Sequence, residues 1–504
     1  MQNLPSMPSF KHRYFWAGIA LRLLCVPFLL QWFHPDERQM FEFAHFHAHG
    51  RLHPFLESHL HLRNQSLPVL FSYVIQFFDA FGLHHPWIYL VAIQSIIGVA
   101  SWCCLYLFLE QIKIENPIAV NALNKCSWFC ALFWGFPLLY SRQLLEAVSL
   151  PSTLLIYVFM RQRKFTRAGL LAGLTGIIRY PSFLWAAGAG LLGIYQAHKN
   201  SEKYLVRNSA KFILGLGVAI LLGGIADYFT YGKFLGSASA YWQFNQPHGP
   251  VETMFGHDSL SVYWRWFEFL FTPWLAPLVI LGGIYSLFFC PELLLFSLPY
   301  ILGHLWTPHR EPRFMLPLTP VLCVAIALAW GKGKFRVLNL ELALVRPQVK
   351  SVVRILVTLH IALNFVWYPL TFWGQWSSSL GTVIRNYSVI QSYASQLITQ
   401  ADPLIDVLIP DSIPWADSNC QWHRPHSENS EESFWVLKAE RPLGCQAATS
   451  SIIPSMDEVG LFARVLRVRP AELWSCGPKD VAQLCQNGFR PAPPGEPYLG
   501  NIIP

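Results

Sequence analysis

The sequence predicts a polytopic α-helical membrane protein with about 11 transmembrane helices, a large first outer loop and a small soluble C-terminal domain of the α+β class. The chain of 504 residues is 53% hydrophobic and only 13% charged, whereas a soluble domain carries about 25% charged residues. Its apolar residues form runs of roughly the 20 residues that a helix needs to cross a bilayer. Its basic residues fall mainly in short loops between those runs, as is typical of cytoplasmic loops.

The first apolar segment runs from Tyr14 to Phe33 and follows the basic residues Lys11, His12 and Arg13. A secretory signal peptide would end in small residues at its cleavage site, and the segment Trp32-Phe33-His34-Pro35 at the end of the span contains no such residue. We therefore expect an uncleaved first span whose N-terminal flank is cytoplasmic.

Three basic loops, at 161–167, 198–211 and 331–350, orient the later spans, because an excess of Lys and Arg marks the cytoplasmic side. The spans themselves are expected at 168–180, 182–196, 212–230, 263–287, 290–306, 314–330 and 352–374. With this order every basic loop is inside and the C-terminal tail is outside.

The first half of the chain contains four more apolar stretches, at 67–82, 88–109, 127–140 and 144–160. Residue 34 is expected outside and residue 161 inside, so one of the four stretches makes no full crossing. We expect it to be 127–140, because that stretch is the shortest.

Two domains follow from this topology. Residues 1–374 are the transmembrane domain, with outer loops at 34–66, 231–262 and 307–313, and residues 375–504 are the outer C-terminal domain. The first loop holds seven histidines among Phe and Leu residues, which predicts helices lying in the membrane interface. Four cysteines of the tail either form two disulfides or stay free thiols, namely Cys420, Cys445, Cys476 and Cys485.

Ionisable residues collect at the outer ends of the spans. An acidic pair, Asp36 and Glu37, follows the first span, and the others are Arg142, Glu146, Arg179, Asp227, His309, Arg310, Glu311 and Arg313. A single arginine at a span end usually extends to the lipid headgroups. The set as a whole combines carboxylates, which can accept a proton from a hydroxyl, with arginines, which bind phosphate by paired hydrogen bonds. We therefore expect chemistry on a lipid phosphate.

Two motifs resemble a known family. His34-Pro35-Asp36-Glu37 after the first span, and the segment 309–317 before a late span, are similar to the signature motifs of the GT-C fold mannosyltransferases of glycosyltransferase family 22. Arg310 stands where that family usually has Lys. Shorter similarities lie around Arg63, Arg142 with Glu146, Arg179, Asp227 and Asn245. The resemblance covers residues 14–420 and is closest to the branch that adds the third mannose of GPI anchors, with a bacterial relative as an alternative.

The resemblance implies an inverting α-mannosyltransferase. It implies a polyprenyl phosphate mannose donor of the dolichyl type, a lipid-linked glycan acceptor on the outer or lumenal membrane face, and no cofactor or metal. Asp36 is the expected general base, with Glu37 second. The donor phosphate is expected at His309, Arg310, Arg313 and Arg179, and acceptor or supporting roles fall to His34, Arg63, Arg142, Glu146, Asp227, Asn245 and Glu311.

Two alternatives remain open at this point: a GT-C transferase of another sugar, and a lipid or sugar transporter. A transporter would carry its ionisable groups near the middle of the membrane, often within repeats. No nucleic-acid partner is indicated. The compartment is expected to be the endoplasmic reticulum membrane in a eukaryotic host, and the inner membrane with the site facing the periplasm in a bacterial host. The sequons at Asn64 and Asn386 would face outside.

Overall fold

The computed structural model describes residues 12–29, 35–49, 60–201, 204–246, 249–333, parts of 351–368 and short strands between 397 and 476. Fifteen α-helices are described in this part of the chain: α1 Arg13–Cys25, α2 Pro35–His49, α3 Ser66–Ala80, α4 Pro86–Glu115, α5 Val120–Leu132, α6 Gly135–Leu139, α7 Leu145–Arg161, α8 Phe165–Ile178, α9 Phe183–Lys199, α10 Leu205–Tyr231, α11 Gly236–Asn245, α12 Pro250–Phe255, α13 Ser261–Phe288, α14 Pro291–Trp306 and α15 Leu318–Gly331.

The chain divides into two compact units. One unit comprises residues 1–24, 61–67 and 94–366, and the other comprises residues 25–60, 68–93 and 367–504. Within the described residues, α4, α10 and α13 are long and apolar enough to cross a membrane. The prediction of a mainly helical membrane protein is therefore confirmed, while the total of 11 crossings stays a prediction.

A buried arginine lies in the last turn of α1. Arg22 is 1% exposed and its guanidinium lies 4.6 Å from the centre of the Trp102 ring. Its Nη1 donates to the carbonyl of Gly18 at 3.0 Å and its Nη2 to that of Cys130 at 3.4 Å. The charge in the first span is thus bonded by groups from α1 itself and from α5, and stacked on α4.

Contacts between helix ends fix the direction of α4. The Tyr14 hydroxyl donates to Glu110 at 2.8 Å, and Arg161 Nε lies 2.8 Å from Glu115. The start of α1 and the ends of α4 and α7 therefore share one face. At the other end of α4, Trp87 donates to the carbonyl of Pro27, just after α1. Helices α1 and α4 are therefore antiparallel.

Residues 119–140 lie alongside α15. A Cβ on Gly331, at the end of α15, would meet Ala119, just before α5. The Tyr140 hydroxyl donates at 2.6 Å to the carbonyl of Leu316, just before α15. Residues 119 to 140 therefore extend along the full length of α15. This arrangement disfavours 127–140 as the stretch without a crossing, and the number and order of the crossings stay predictions.

Helices α8 and α10 approach each other to backbone contact. A Cβ on Gly169 would lie 1.9 Å from the carbonyl oxygen of Phe212, and one on Gly215 would lie 2.0 Å from that of Thr166. Gly169 and Gly173 are four residues apart on α8, a spacing that allows close helix packing in membranes.

The loop predicted at 231–262 contains the short helices α11 and α12. Helix α10 ends at Gly232, whose φ of +69° is the left-handed conformation that favours glycine at a helix end. Helix α13 is kinked at Thr272, where the backbone has φ 67° and ψ 156°, directly before Pro273. In the first predicted outer loop, residues 35–49 are helical as expected.

The described part of the tail consists of six short strands: β1 Leu397–Thr399, β2 Trp415–Ala416, β3 Trp422–His423, β4 Phe434–Lys438, β5 Gln446–Ala447 and β6 Glu472–Cys476. Four of them form a sheet in the order β1-β4-β6-β5, with β1 parallel to β4 and the other pairs antiparallel. The α+β class expected for the tail stays a prediction. The disulfides expected in the tail, and the boundary at 374, lie outside the described residues.

Candidate active site

Two buried arginines share one carboxylate. Arg179 Nε lies 3.0 Å from Glu146 Oε1, and Arg313 Nη1 lies 3.3 Å from Glu146 Oε2. Arg179 is 4% exposed, Arg313 5% and Glu146 0%. Because each carboxylate oxygen serves a different guanidinium, Glu146 holds the two cations side by side.

The local sequence explains how the three residues reach this point. Glu146 stands in the first turn of α7. Arg179 follows the last residue of α8 and has an extended backbone, φ −148° and ψ 107°, since the nearby Pro181 cannot continue a helix. Arg313 lies in the 3-10 turn Pro312–Met315, just before α15. Three separate chain segments thus supply the cluster.

Aromatic groups of α14 and the 3-10 turn surround the arginines. The guanidinium of Arg179 lies 4.6 Å from the centre of the Phe314 ring, and that of Arg313 lies 5.7 Å from it. The Tyr300 hydroxyl accepts from Arg179 at 3.3 Å and donates to the carbonyl of Phe314 at 2.8 Å. His304 Nδ1 lies 2.9 Å from the carbonyl of Tyr300, which makes Nδ1 the donor and leaves Nε2, 3.5 Å from Arg179, as an acceptor.

The loop before the 3-10 turn extends the charged cluster. His309 Nδ1 lies 2.9 Å from Asp258 Oδ2, and its Nε2 lies 3.1 Å from Glu311 Oε1. Burial disfavours the charged imidazole, but the hydrogen bonds and charges of Glu311 and Asp258 outweigh it and raise the pKa of His309 above its ordinary value. Glu311 also accepts from Arg313 Nε, and Arg310 donates to the carbonyls of Asp258 and Leu305.

A cleft opens beside this cluster. Polar groups for a ligand come from Tyr241, Asn245, His304, Thr307 and His309, and the rest of the lining is apolar, formed by Pro181, Leu184, Val251, Gly303, Pro308 and Phe314. The space in and in front of the cleft comes to about 450 Å³, part of it open to solvent. A cleft lined by both polar and apolar groups suits an amphiphilic ligand.

Asp227 is the centre of a separate buried network. It is 0% exposed and accepts from Asn64 Nδ2 at 2.7 Å, from the backbone N–H of Ser237 at 2.9 Å and from the Ser237 hydroxyl. The Tyr180 hydroxyl bonds to that same hydroxyl. With so many donors on it, Asp227 is suited to fixing the start of α11, which favours the supporting role among those predicted.

The same network determines whether the sequon at Asn64 can be glycosylated. Asn64 is 9% exposed, and its side-chain nitrogen also donates to the carbonyl of Gly223 at 2.9 Å. An amide nitrogen buried in this way is not available for glycosylation. The sequon at Asn386 lies outside the described residues.

The acidic pair stands at the start of α2. Asp36 and Glu37 occupy its first turn and are 6% and 0% exposed. The N-terminal end of a helix stabilises negative charge, which suits a carboxylate in the role of a base. They belong to a different compact unit from the arginines. His34 lies outside the described residues.

The remaining predicted residues have these positions. Arg142 is buried, 2% exposed, just before α7. Arg63 accepts at its carbonyl from the Tyr231 hydroxyl at 2.7 Å, and its side chain is half-buried. Asn245 ends α11, lines the cleft and donates to the carbonyl of Tyr241 at 2.9 Å. Their roles stay predictions.

Five residues of the site were not among the site residues predicted from the sequence: Asp258, Tyr300, His304, Phe314 and Ser237. A lone histidine in the apolar run 290–306 was a usable signal for His304, and Phe314 lies within the motif segment 309–317. The roles of the others depend on what the fold brings beside them.

Comparison with protein families gives a match over residues 14–394. The chain belongs to the Alg9-like mannosyltransferase family. It is therefore a membrane glycosyltransferase, and the family expected from the two motifs is confirmed. Membership in a transferase family disfavours the transporter alternative.

A solved structure similar to this family member is the crystal structure of ArnT from Cupriavidus metallidurans bound to undecaprenyl phosphate. The TM-score is 0.51 with 10% sequence identity, over 92% of this chain and 97% of that chain. At this identity the likeness shows the fold alone, the GT-C fold expected from the motifs. No curated protein sequence matches the chain.

Proposed function

We propose that the protein is an inverting α-mannosyltransferase that moves mannose from a polyprenyl phosphate mannose donor to a lipid-linked glycan acceptor on the outer or lumenal membrane face. The observation that carries the proposal is the pair of buried arginines, Arg179 and Arg313, fixed side by side on Glu146. Such a pair suits a group whose negative charge increases as it leaves, and family membership supports mannose as the sugar.

The leaving group is the polyprenyl phosphate, and we assign its binding to Arg179, Arg310, Arg313 and His309. Guanidinium groups bind phosphate by paired, charge-assisted hydrogen bonds. The ligand named for the ArnT structure, undecaprenyl phosphate, supports this substrate class. The apolar lining of the cleft at Leu184, Val251 and Phe314 offers a surface for the start of a lipid chain.

Transfer needs one proton to move and one bond to be exchanged. The acceptor hydroxyl oxygen attacks C1 of mannose from the face opposite the phosphate, and the C1–O bond to phosphate breaks with its electron pair going to the phosphate. The hydroxyl proton goes to Asp36, with Glu37 as the second candidate base. This assignment rests on the motif and on the buried position of both carboxylates at a helix start.

The supporting residues hold these groups in place. Glu146 and Glu311 bind the arginines, and Asp227 fixes α11, which carries Asn245 into the cleft. Arg63, Arg142 and His34 are proposed to contact the acceptor. We propose the domain boundary at 374 and the outer location of 375–504 on the topology expected from the basic loops. The host determines whether the membrane is that of the endoplasmic reticulum or a bacterial inner membrane.

The test uses purified protein in lipid nanodiscs with radiolabelled mannosyl phosphoryl undecaprenol or dolichol and extracted membrane lipids as acceptors. We expect mannose to move to a lipid-linked product. Asp36→Asn should lower the transfer rate by about 10²–10⁴-fold, which is what a positioned base contributes.

Glu37→Gln, measured in parallel, separates the two carboxylates, because only the true base should show the full loss. Size-exclusion profiles check that each variant is folded. Full activity of Asp36→Asn would remove Asp36 from the mechanism. Transfer of a different sugar but not of mannose would favour the GT-C transferase of another sugar.

A further inference from the structure

A continuous series of hydrogen-bonded charged groups leads from the region before α13 to Arg313. Asp258 Oδ2 contacts His309 Nδ1 at 2.9 Å, and His309 Nε2 contacts Glu311 Oε1 at 3.1 Å. The other oxygen of Glu311 accepts from Arg313 Nε. Each contact uses a different atom, so all of them can be made at the same time.

Asp258 also makes hydrogen bonds to the loop that carries these groups. Its side chain accepts from the backbone N–H of Arg310 at 2.9 Å, and its own N–H donates to the carbonyl of Pro308 at 3.0 Å. Its carbonyl accepts from the Arg310 guanidinium. One residue thus holds three consecutive residues, 308 to 310, of the signature loop.

His309 can make both of its hydrogen bonds, to Asp258 and to Glu311, only when its imidazole is protonated. Carboxylates accept hydrogen bonds and donate none when ionised, so an imidazole between Asp258 and Glu311 must donate at both nitrogens. Among the residues that the structure describes, Arg310 and Arg313 on the same loop are further charged groups beside it. His257, next to Asp258, is paired with Glu252 at 2.7 Å.

The series fixes Arg313 in one orientation. Its Nε is bound by Glu311 and its Nη1 by Glu146, which together set the plane of the guanidinium. If His309 loses its proton, it can no longer donate to both carboxylates, and Glu311 is released to move together with Arg313. The carboxylate at the start of the series therefore influences the arginine at its end.

We propose that Asp258 is a positioning residue of the phosphate-binding site, which holds the charged His309 against Glu311 and through Glu311 orients Arg313. The proposal rests on the proposed function, because it requires Arg313 to bind the donor phosphate. It adds a residue from outside the signature motifs to the site.

The test measures binding of undecaprenyl phosphate to the full chain in nanodiscs, by tryptophan fluorescence, from about pH 6 to pH 8.5. The raised pKa of His309 predicts that the wild type keeps its binding over most of this range and loses it as the pH rises through that pKa. Asp258→Asn preserves the shape and removes the charge. We expect it to weaken binding about tenfold at the upper pH, the size of one lost charge-assisted hydrogen bond, and less than about twofold at the lower pH.

Matched variants distinguish positioning from folding. Asp258→Glu should restore most of the binding at the upper pH, and Glu252→Gln should bind as the wild type does. The glutamine in His309→Gln cannot carry the positive charge. Adding Asp258→Asn to that variant should therefore lower the affinity for undecaprenyl phosphate little further, because Asp258 acts through His309. The phosphate of the ligand also titrates near pH 6, and the ratio of variant to wild type at each pH cancels that effect.

The outcomes separate the two proposals. A wild type that binds no undecaprenyl phosphate at any pH would overturn the proposed function and this inference with it. A wild type that binds, together with an Asp258→Asn variant of equal affinity at every pH, would overturn the positioning role alone. The positioning role would also be overturned if Asp258→Asn lowered the affinity equally in the wild type and in the His309→Gln variant, because Asp258 would then have only a structural role.

Discussion

A single carboxylate, that of Glu146, joins the end of α8 to the loop before α15. Its two oxygens bind Arg179 and Arg313, and all three side chains are almost fully buried. A charge in such a place is tolerated because it is paired, and it becomes costly once its partner is removed.

Replacing Glu146 by Gln should therefore destabilise the protein as well as inactivate it. We expect the free energy of unfolding to fall by about 3 kcal/mol, the lower end of the range for a broken buried pair, since Arg313 keeps Glu311. Thermal unfolding in detergent, followed by differential scanning fluorimetry, measures the change.

Glu292→Gln is the control for this prediction. Glu292 pairs at 3.0 Å with Lys199, whose side chain is 56% exposed, and lies 4.0 Å from Arg161, which keeps its closer partner Glu115. Its loss should therefore cost less than about 1 kcal/mol. A Glu146 variant as stable as the Glu292 variant would mean that the buried arginines do not depend on this carboxylate.

At this scale the sequence indicated the residue types but not their pairing. The motifs marked His309, Arg310, Glu311 and Arg313 as a group, and the structure brings them together. The bond between Glu146 and Arg313 joins positions 167 residues apart, and no local pattern predicts such a separation. Asp258 was missed for the same reason.

At the scale of the helices, α8 and α10 approach each other to backbone contact at positions where one of them has a glycine. A Cβ at Gly169 would enter the carbonyl group of Phe212, and one at Gly173 would lie 2.5 Å from the Cβ of Ala219. Since α8 ends at Arg179, this crossing also sets the position of a proposed phosphate-binding residue.

Gly169→Ala should consequently push the two helices apart. The clash is with backbone, which cannot rotate away, and we expect a loss of about 1–3 kcal/mol in stability together with reduced activity. Gly217→Ala on α10 is the matched control, because a Cβ there would meet nothing within 4 Å. Melting temperatures of the two variants in detergent make the comparison. Equal temperatures would show that the crossing tolerates a wider spacing.

The positions of most helices could be predicted from the apolar runs, since long segments without charge must be helical in lipid. Predicted spans at 168–180, 182–196, 263–287 and 290–306 each coincide with α8, α9, α13 and α14 within a few residues. The helices α11 and α12 were not predicted, because the sequence around them is polar and rich in glycine.

For the whole molecule, the contacts of α4 and of residues 119–140 predict that residue 84, just before α4, lies outside and that residue 118, just before α5, lies inside. If 127–140 made no crossing, residue 84 would instead lie inside and residue 118 outside. His84 and Ile118 are well exposed, with the His84 side chain at 64% and Ile118 at 84%.

We expect His84→Cys to react with a membrane-impermeant maleimide from the outer side, and Ile118→Cys to react only after permeabilisation. Each variant is the other's control, and the unsubstituted chain gives the background from its own cysteines. The reverse labelling would restore 127–140 as the stretch that does not cross and would reject the direction of α4 given by its end contacts.

Arg22 has a consequence for how the protein is made. A charged side chain at the centre of a membrane helix costs about 2.5–3.5 kcal/mol during insertion. Helix α1 leaves the ribosome before α4 and α5, yet the Trp102 ring and the Cys130 carbonyl that accommodate Arg22 belong to those later helices. The first span therefore cannot reach its final environment until about residue 130 has been synthesised, and until then the insertion machinery must hold it.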